Sequence, residues 1–351
     1  MPSDLRAALG GRPIGIHLPL GAGMVKAAER ADAIGAATLQ VFADNPTAWR
    51  RRTEPPRELP AFRTRLAELD LAPTATHAAY LINLAGSDEA FWTRSVGALT
   101  AELRMGAVYG AAFVNVHVGS HRGEGPQAGV TRLARGMAAA LDEAEALDAA
   151  AALDLAAGWL EDAAGPPADP PGRPLLVLEN SAGGGAGIGS TVEELAAIAE
   201  AAVRAGVPEG RFGFCLDTAH LWGAGYDLSD PLVLDDLLVR FDALLGPSRL
   251  AMLHLNDSKV PLGSHGDRHQ HVGAGAIGER GMRALLVHPR LALVPAYLET
   301  PGMDEGWDAR NMERVRALIA GEPLPQLDEA ALDLPGSRSR RDRAAPALEG
   351  A

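Results

Sequence analysis

Eight short apolar runs punctuate the chain, and the segments between them carry helical patterns; no other feature limits the possible folds as tightly. The runs are IGIHL (14–18), ATLQVF (37–42), PTATHA (73–78), AFVNVHV (112–118), LLVLEN (175–180), FGFCLD (212–217), LAMLHLN (250–256) and PAYLET (295–300). Between them lie stretches such as LPAFRTRLAELD, TVEELAAIAEAAVRAG and DPLVLDDLLVRFDALL. Two helix starts are marked, by a capping box Ser190-x-x-Glu193 and by Asp230 ahead of Pro231. Eight strand-then-helix units of this length close into a parallel barrel more readily than they spread into an open, doubly wound sheet, which is the alternative. The expected fold class is therefore α/β, a single (β/α)8 barrel over residues 1–333. Residues 142–173 read as an Ala/Pro-rich acidic insertion, and residues 334–351, which lack apolar periodicity, as a disordered tail.

The ends of the runs carry the chemistry. The third stops at His77, the fourth at His117, the fifth at Glu179, the sixth at Asp217 with His220 three residues on, the seventh at His254 and the eighth at Glu299. In a parallel barrel all of these point into the C-terminal mouth, where such folds build their sites. The loop after the seventh run, GSHGDRHQHVGAG, adds His265, Asp267, His269 and His271 at alternating positions. If that segment is extended, the four share one face. Five histidines and four carboxylates thus converge on one rim: His77, His117, His220, His254 and His269 with Glu179, Asp217, Asp267 and Glu299. Three ligands and an open position serve one catalytic zinc, so nine imply a cluster of two or three ions. Imidazole with carboxylate and no thiolate suits zinc or manganese better than magnesium. Clustered metals are the usual device for displacement at phosphorus, which points to phosphoester hydrolysis.

Composition sets the surroundings. With 47% hydrophobic but only 5% aromatic residues, the core must rest on Ala, Leu and Val. No apolar run is long enough to cross a bilayer and no export signal opens the chain, so a soluble, cytoplasmic protein is expected. The single Cys215 excludes an internal disulfide and a thiolate zinc site, and reads as strand packing. The net charge of −13 argues against a nucleic-acid partner, except that metal-binding carboxylates contribute to it and Arg50, Arg51 and Arg52 form a local basic cluster. His17 reads as a core residue or a support to the site, and His121, His265 and His288 as surface.

Seven motifs, HAAYLINLA (77–85), NVHVGSH (115–121), LENSAGGGAGIG (178–189), FCLDTAHLWGAGYD (214–227), HLNDSK (254–259), DRHQHVGAGAIG (267–278) and LETP (298–301), resemble those of the endonuclease IV family in content and order. The resemblance runs from about Ile14 to Leu318. It implies a TIM barrel with three zinc ions at the C-terminal mouth, for which manganese could substitute. His77, His117 and Glu179 would hold the first zinc, with Glu179 bridging to the second and orienting the attacking hydroxide. Asp217, His254 and Glu299 would complete the second, and His220, Asp267 and His269 the third. The implied activity is hydrolysis of the phosphodiester 5′ to an abasic site in double-stranded DNA, giving a 3′-hydroxyl and a 5′-deoxyribose phosphate, with possible repair of 3′-blocked ends, by a monomer.

For DNA contact the resemblance implies Tyr80 and Leu81; His271 reads as a phosphate neighbour, and Arg50 as a partial substitute for the family's inserting arginine or as a surface residue. Two departures stand out: Thr47 replaces the family's inserting arginine and Ala274 a common glutamate. A sugar isomerase or epimerase of the same barrel superfamily is the runner-up, and a damage-binding protein without hydrolysis is the other alternative. His220, Asp267 and His269 discriminate, because an isomerase has no evident use for a third metal.

Overall fold

The computed structural model describes residues 2–159 and 172–334. Eight parallel strands close on themselves: β1 (Ile14–His17), β2 (Leu39–Phe42), β3 (Ala75–His77), β4 (Phe113–His117), β5 (Leu175–Glu179), β6 (Phe212–Asp217), β7 (Leu250–His254) and β10 (Ala296–Leu298). Their order around the barrel follows the chain, with β10 pairing β1. All eight expected strands are present, each trimmed by at most a few residues. A two-residue antiparallel ribbon, β8 (Asp257–Ser258) with β9 (His269–Gln270), was not expected.

Strand alternation divides the barrel wall. On β5, Leu176 and Leu178 face outward into the main core, which includes Leu195, Ile198 and Ala202 of helix Val192–Arg204. Val177 faces inward, into a separate cluster with Ala75, Cys215, Met252 and Tyr297. Cys215 is fully buried there, as packing requires. Because side chains repeat every second residue on a strand, the next inward positions are His77, Glu179, Asp217, His254 and Glu299. The apolar plug is therefore the floor beneath the candidate site.

Helix starts follow side-chain chemistry, with one correction. Asp230 caps helix Pro231–Leu245 by accepting from the Leu232 N–H at 3.1 Å. The other cap lies one residue later than expected: Thr191, not Ser190, accepts from the Glu194 N–H at 3.2 Å. Glu194 then reaches back to accept from the Ser190 N–H at 2.7 Å, so the reciprocal bonds form across a shifted pair.

The acidic insertion begins inside a helix, Pro126–Trp159, whose Glu145 pairs with Arg173 at 2.9 Å and Arg211 at 3.4 Å. The expectations for 160–171 and for the tail from residue 335 fall outside the described residues. Among the described residues no helix is long and apolar enough to cross a membrane.

Candidate metal centre

The strand termini and the β7–β10 loop bring all nine expected side chains together. His77 Nε2 lies 3.5 Å from Glu179 Oε2, and His117 Nδ1 lies 3.9 Å from the same oxygen. His254 Nδ1 faces Glu179 Oε1 at 3.2 Å and Glu299 Oε2 at 3.3 Å. Asp267 spans His220 Nε2 at 3.3 Å and His269 Nε2 at 3.2 Å. Three groups have ligand atoms within 4.8 Å of one another and could each hold an ion: His77–His117–Glu179, Glu179–Asp217–His254–Glu299, and Asp217–His220–His269. The last grouping differs from the expected trio in taking Asp217 where Asp267 was assigned. Asp217 lies 3.6 Å from His269 Nε2, so this carboxylate sits between the second and third groups.

Four of the histidines are tied at one ring nitrogen to a carbonyl oxygen. His77 Nδ1 lies 2.8 Å from the Ala78 carbonyl, His220 Nδ1 2.9 Å from that of Asn180, and His269 Nδ1 2.9 Å from that of Glu299. His254 Nε2 lies 3.1 Å from the Gln40 amide oxygen. A carbonyl accepts only from N–H, so the tied nitrogen carries a proton and the other is aimed at the cluster, able to bind a metal once it is deprotonated. This is the arrangement of metal-binding imidazoles. His254 Nδ1 and Asp267 Oδ1 are buried and make no hydrogen bond among the described residues, which fits groups that bind cations.

Amides fix the carboxylates. Asn115 Nδ2 donates to Glu179 Oε2 at 2.6 Å, Asn256 Nδ2 to Asp217 Oδ2 at 2.7 Å, and Gln40 Nε2 to Glu299 Oε1 at 2.9 Å. His17 Nδ1 lies 2.9 Å from the same Glu299 oxygen, in the supporting place expected of it. Asp217 also caps helix Thr218–Ala224 by accepting from the His220 N–H at 2.8 Å, which locks two of the nine groups to each other. Sequence reasoning missed Gln40, Asn115 and Asn256. For Asn115 and Asn256 the signal available was a polar residue two positions from a strand-end ligand, as in NVH and HLN; β2 ends in no ligand to mark Gln40.

The electrostatics of the cluster call for positive charge. Burial opposes charge here; it prevails at His117, held below the usual imidazole range, and is overcome at the groups that follow. Cys215, Glu299 and Glu179 lift His254 well above the usual imidazole range, and Asp217 and Asp267 do the same for His220 and lift His269 to about 9. Conversely, despite burial, His117 and His254 hold Glu179 well below the usual carboxylate range, and His220 and His269 do the same for Asp267. The field that raises these imidazoles would equally favour bound cations, which would displace the added protons.

The loop holding Asp267 and His269 is shaped by Asp257, whose carboxylate accepts from Ser258, Gly275 and Ile277 N–H groups at 2.8, 2.9 and 3.0 Å. A Cβ on Gly275 would lie 2.4 Å from the Ser258 carbonyl oxygen, so the close return needs glycine there. The expected single face of the four alternating residues is only half realised. His265 has φ 56° and turns its Nδ1 to the Ala182 carbonyl at 2.9 Å, away from an extended path. His271 is fully buried, its Nε2 on the Ala331 carbonyl at 3.0 Å and its Nδ1 accepting from Asn311 at 2.9 Å. The role of phosphate neighbour assigned to His271 is therefore corrected: the ribbon ends at Gln270, alternation lapses, and both ring nitrogens are engaged inside the fold.

Of the other residues expected at DNA, Tyr80 is 52% exposed at the mouth, with its ring 5.5 Å from that of His77 and 5.2 Å from that of Phe42. Leu81 beside it is half-buried and Arg50 is exposed. Thr47 closes a turn, since its N–H and hydroxyl both donate to Asn45 Oδ1 at 2.9 Å.

Comparison with known proteins places this geometry. The family model for the xylose isomerase-like TIM barrel matches residues 28–320. A probable endonuclease 4 of Solibacter usitatus is 35% identical over 89% of this chain and 98% of its own, and one of Halorhodospira halophila 36% identical over 92% and 99%. The crystal structure of endonuclease IV from Thermus thermophilus superposes with a TM-score of 0.69 at 35% identity, covering 88% of this chain and 99% of that one. A D-tagatose 3-epimerase-like protein, at 12% identity and a TM-score of 0.58, shares the fold alone. The chain belongs to the endonuclease 4 family of xylose isomerase-like TIM barrels.

Proposed function

We propose that the protein is a zinc-dependent apurinic/apyrimidinic endonuclease that hydrolyses the phosphodiester 5′ to abasic sites in duplex DNA. The products are a 3′-hydroxyl and a 5′-deoxyribose phosphate, and blocked 3′ ends are a second substrate of the same site. The observation that carries this reading is the set of four histidines, each tied at one nitrogen and aimed with the other at a shared set of carboxylates, Glu179, Asp217, Asp267 and Glu299. The donor set fits three zinc ions: His77, His117 and Glu179; Glu179, Asp217, His254 and Glu299; and His220, Asp267 and His269, with Asp217 close to the last. Bound there, zinc supplies Lewis acidity at the phosphodiester and an attacking water at neutral pH.

The chain's own groups set the geometry. Glu179 joins the first two groups through its two oxygens, and Asn115 fixes which oxygen faces which histidine. Asn256 holds Asp217 through its amide while its carbonyl oxygen accepts from the Glu299 N–H at 2.8 Å, so two ligands move together. Tyr80 and Leu81 enter the duplex at the lesion. Base loss lowers the cost of turning the sugar out of the stack, which supplies selectivity. Arg50 adds a phosphate contact at the rim. The protein works as a cytoplasmic monomer.

The test is incision of a duplex carrying one abasic-site analogue, with and without prolonged chelation, beside an undamaged control. Cleavage 5′ to the lesion that is lost on chelation and restored by zinc is expected. Chelator-insensitive cleavage removes the zinc reading, and isomerisation of a ketose without incision replaces it by the epimerase one.

A further inference from the structure

The loop that follows β2 lacks the arginine its family inserts, yet it is held in place by another one. Arg51 reaches inward, its side chain only 8% exposed, and pairs at 2.8 Å with Glu102 of helix Glu89–Tyr109, itself 2% exposed. The second arm of the same guanidinium donates to the Asn45 carbonyl at 2.8 Å and to that of Ala48. The backbone of Ala79, the residue before Tyr80, also favours the charged form of Glu102. The Tyr80 N–H in turn donates to the Pro46 carbonyl at 3.1 Å. The contacts run in series: Glu102 to Arg51, Arg51 to the turn at residues 45–48, and that turn to Tyr80.

A second contact seals the outer side. Trp49 meets Phe91 edge-on with centroids 4.9 Å apart, and Arg94 stacks over Trp49 at 4.9 Å. Buried ion pairs contribute little net stability, because desolvation offsets the attraction. What such a pair does supply is a fixed geometry, here from a planar fork that meets a carboxylate on one arm and two carbonyls on the other.

We propose that the Arg51–Glu102 pair is a positioning device that joins the loops after β2 and β3 into one rigid unit and sets Tyr80 over the mouth for lesion recognition. It touches neither the metal ligands nor the scissile bond, and it acts on DNA only through Tyr80. This rests on the reading of the site as an abasic-DNA endonuclease, and it accounts for how the loop functions with Thr47 closing a turn where the family inserts an arginine.

The experiment compares the full-length wild type with Glu102→Gln and with the apolar pair Arg51→Met/Glu102→Leu, each loaded with zinc. Single-turnover and steady-state incision of an abasic-analogue duplex are measured, together with binding to damaged and undamaged duplex. The double variant should raise KM and Kd for the abasic duplex about tenfold, leave kcat within twofold, and leave binding to undamaged duplex unchanged. Trypsin should cleave faster after Arg50 and Arg52 in both variants, a readout that does not depend on activity. Should the double variant fail to fold, Glu102→Gln carries the test, with the same split at smaller size. If wild type incises abasic DNA and both variants match it in KM and in tryptic cleavage, the positioning role is overturned; a fall in kcat at unchanged KM overturns it equally. A wild type that incises nothing refutes the endonuclease reading, while faster tryptic cleavage of the variants would still support the clamp.

Discussion

Two layers of side chains share the barrel interior one pleat apart, and their chemistry is opposite. The lower layer is Ala75, Val177, Cys215, Met252 and Tyr297, apolar save for one phenol that donates to the Pro73 carbonyl at 2.8 Å. The upper layer, two residues further along the same strands, is His77, Glu179, Asp217, His254 and Glu299, joined by His117 above Asn115. The lower layer is buried and the upper one largely so, but only the lower one gains stability from burial. Apolar burial is favourable in proportion to area, whereas buried charge is costly unless paired or metal-bound. The floor thus serves the fold, and the rim is kept for what it binds.

That contrast makes opposite mutational signatures. Glu179→Gln should lower incision at saturating substrate by at least about 10²–10³-fold, because one of the charges preorganised at the reacting centre is lost. Incision assays with saturating zinc check it. One pleat below, Met252→Ala should do the reverse. It should cost about 2–5 kcal/mol of stability by opening a cavity under the site, with the folded fraction retaining its turnover; denaturant melts and kcat at low temperature would show it.

The amides that orient the rim should give an intermediate effect. Asn256→Ala frees Asp217 and the Glu299 backbone at once and should weaken metal retention or activity by about 10–100-fold, measured by competition with a chelator of known affinity. A pair outside both layers sets the lower end of the scale. Hydrogen bonding from Arg290, against partial burial, holds the Asp242 carboxyl below its ordinary range. A lowered acid contributes stability above its unfolded pKa and loses it as pH falls through the folded value. Wild type should therefore lose at most about 1 kcal/mol relative to Asp242→Asn as pH drops below the ordinary carboxylate range, read from melts across that window.

The sequence displayed the barrel because its strands are all buried on both faces and its helices amphipathic, so periodicity changes at each boundary. It displayed the rim for a related reason: a histidine or carboxylate ending an apolar run has no packing role to explain it. Less of the loop after β7 was legible. Alternation holds only while backbone stays extended, and His265 at φ 56° and His271 beyond the ribbon both escape it. Gln40 left no trace, and Asn115 and Asn256 only their spacing from His117 and His254, since a buried amide is recognised chiefly by its partners. The Arg51–Glu102 clamp was hidden likewise: three adjacent arginines read as one exposed cluster, whereas the middle one points inward over 51 residues of chain separation.

The central claim is that the upper layer exists to hold a metal cluster. Elemental analysis of protein never exposed to chelator, quantified against chain concentration and paired with incision of an abasic-analogue duplex, tests it most directly. Three metals per chain, mostly zinc, falling together with activity on chelation, is the result this account predicts. A stable content of one metal with full incision, or full incision by metal-free protein, would contradict it.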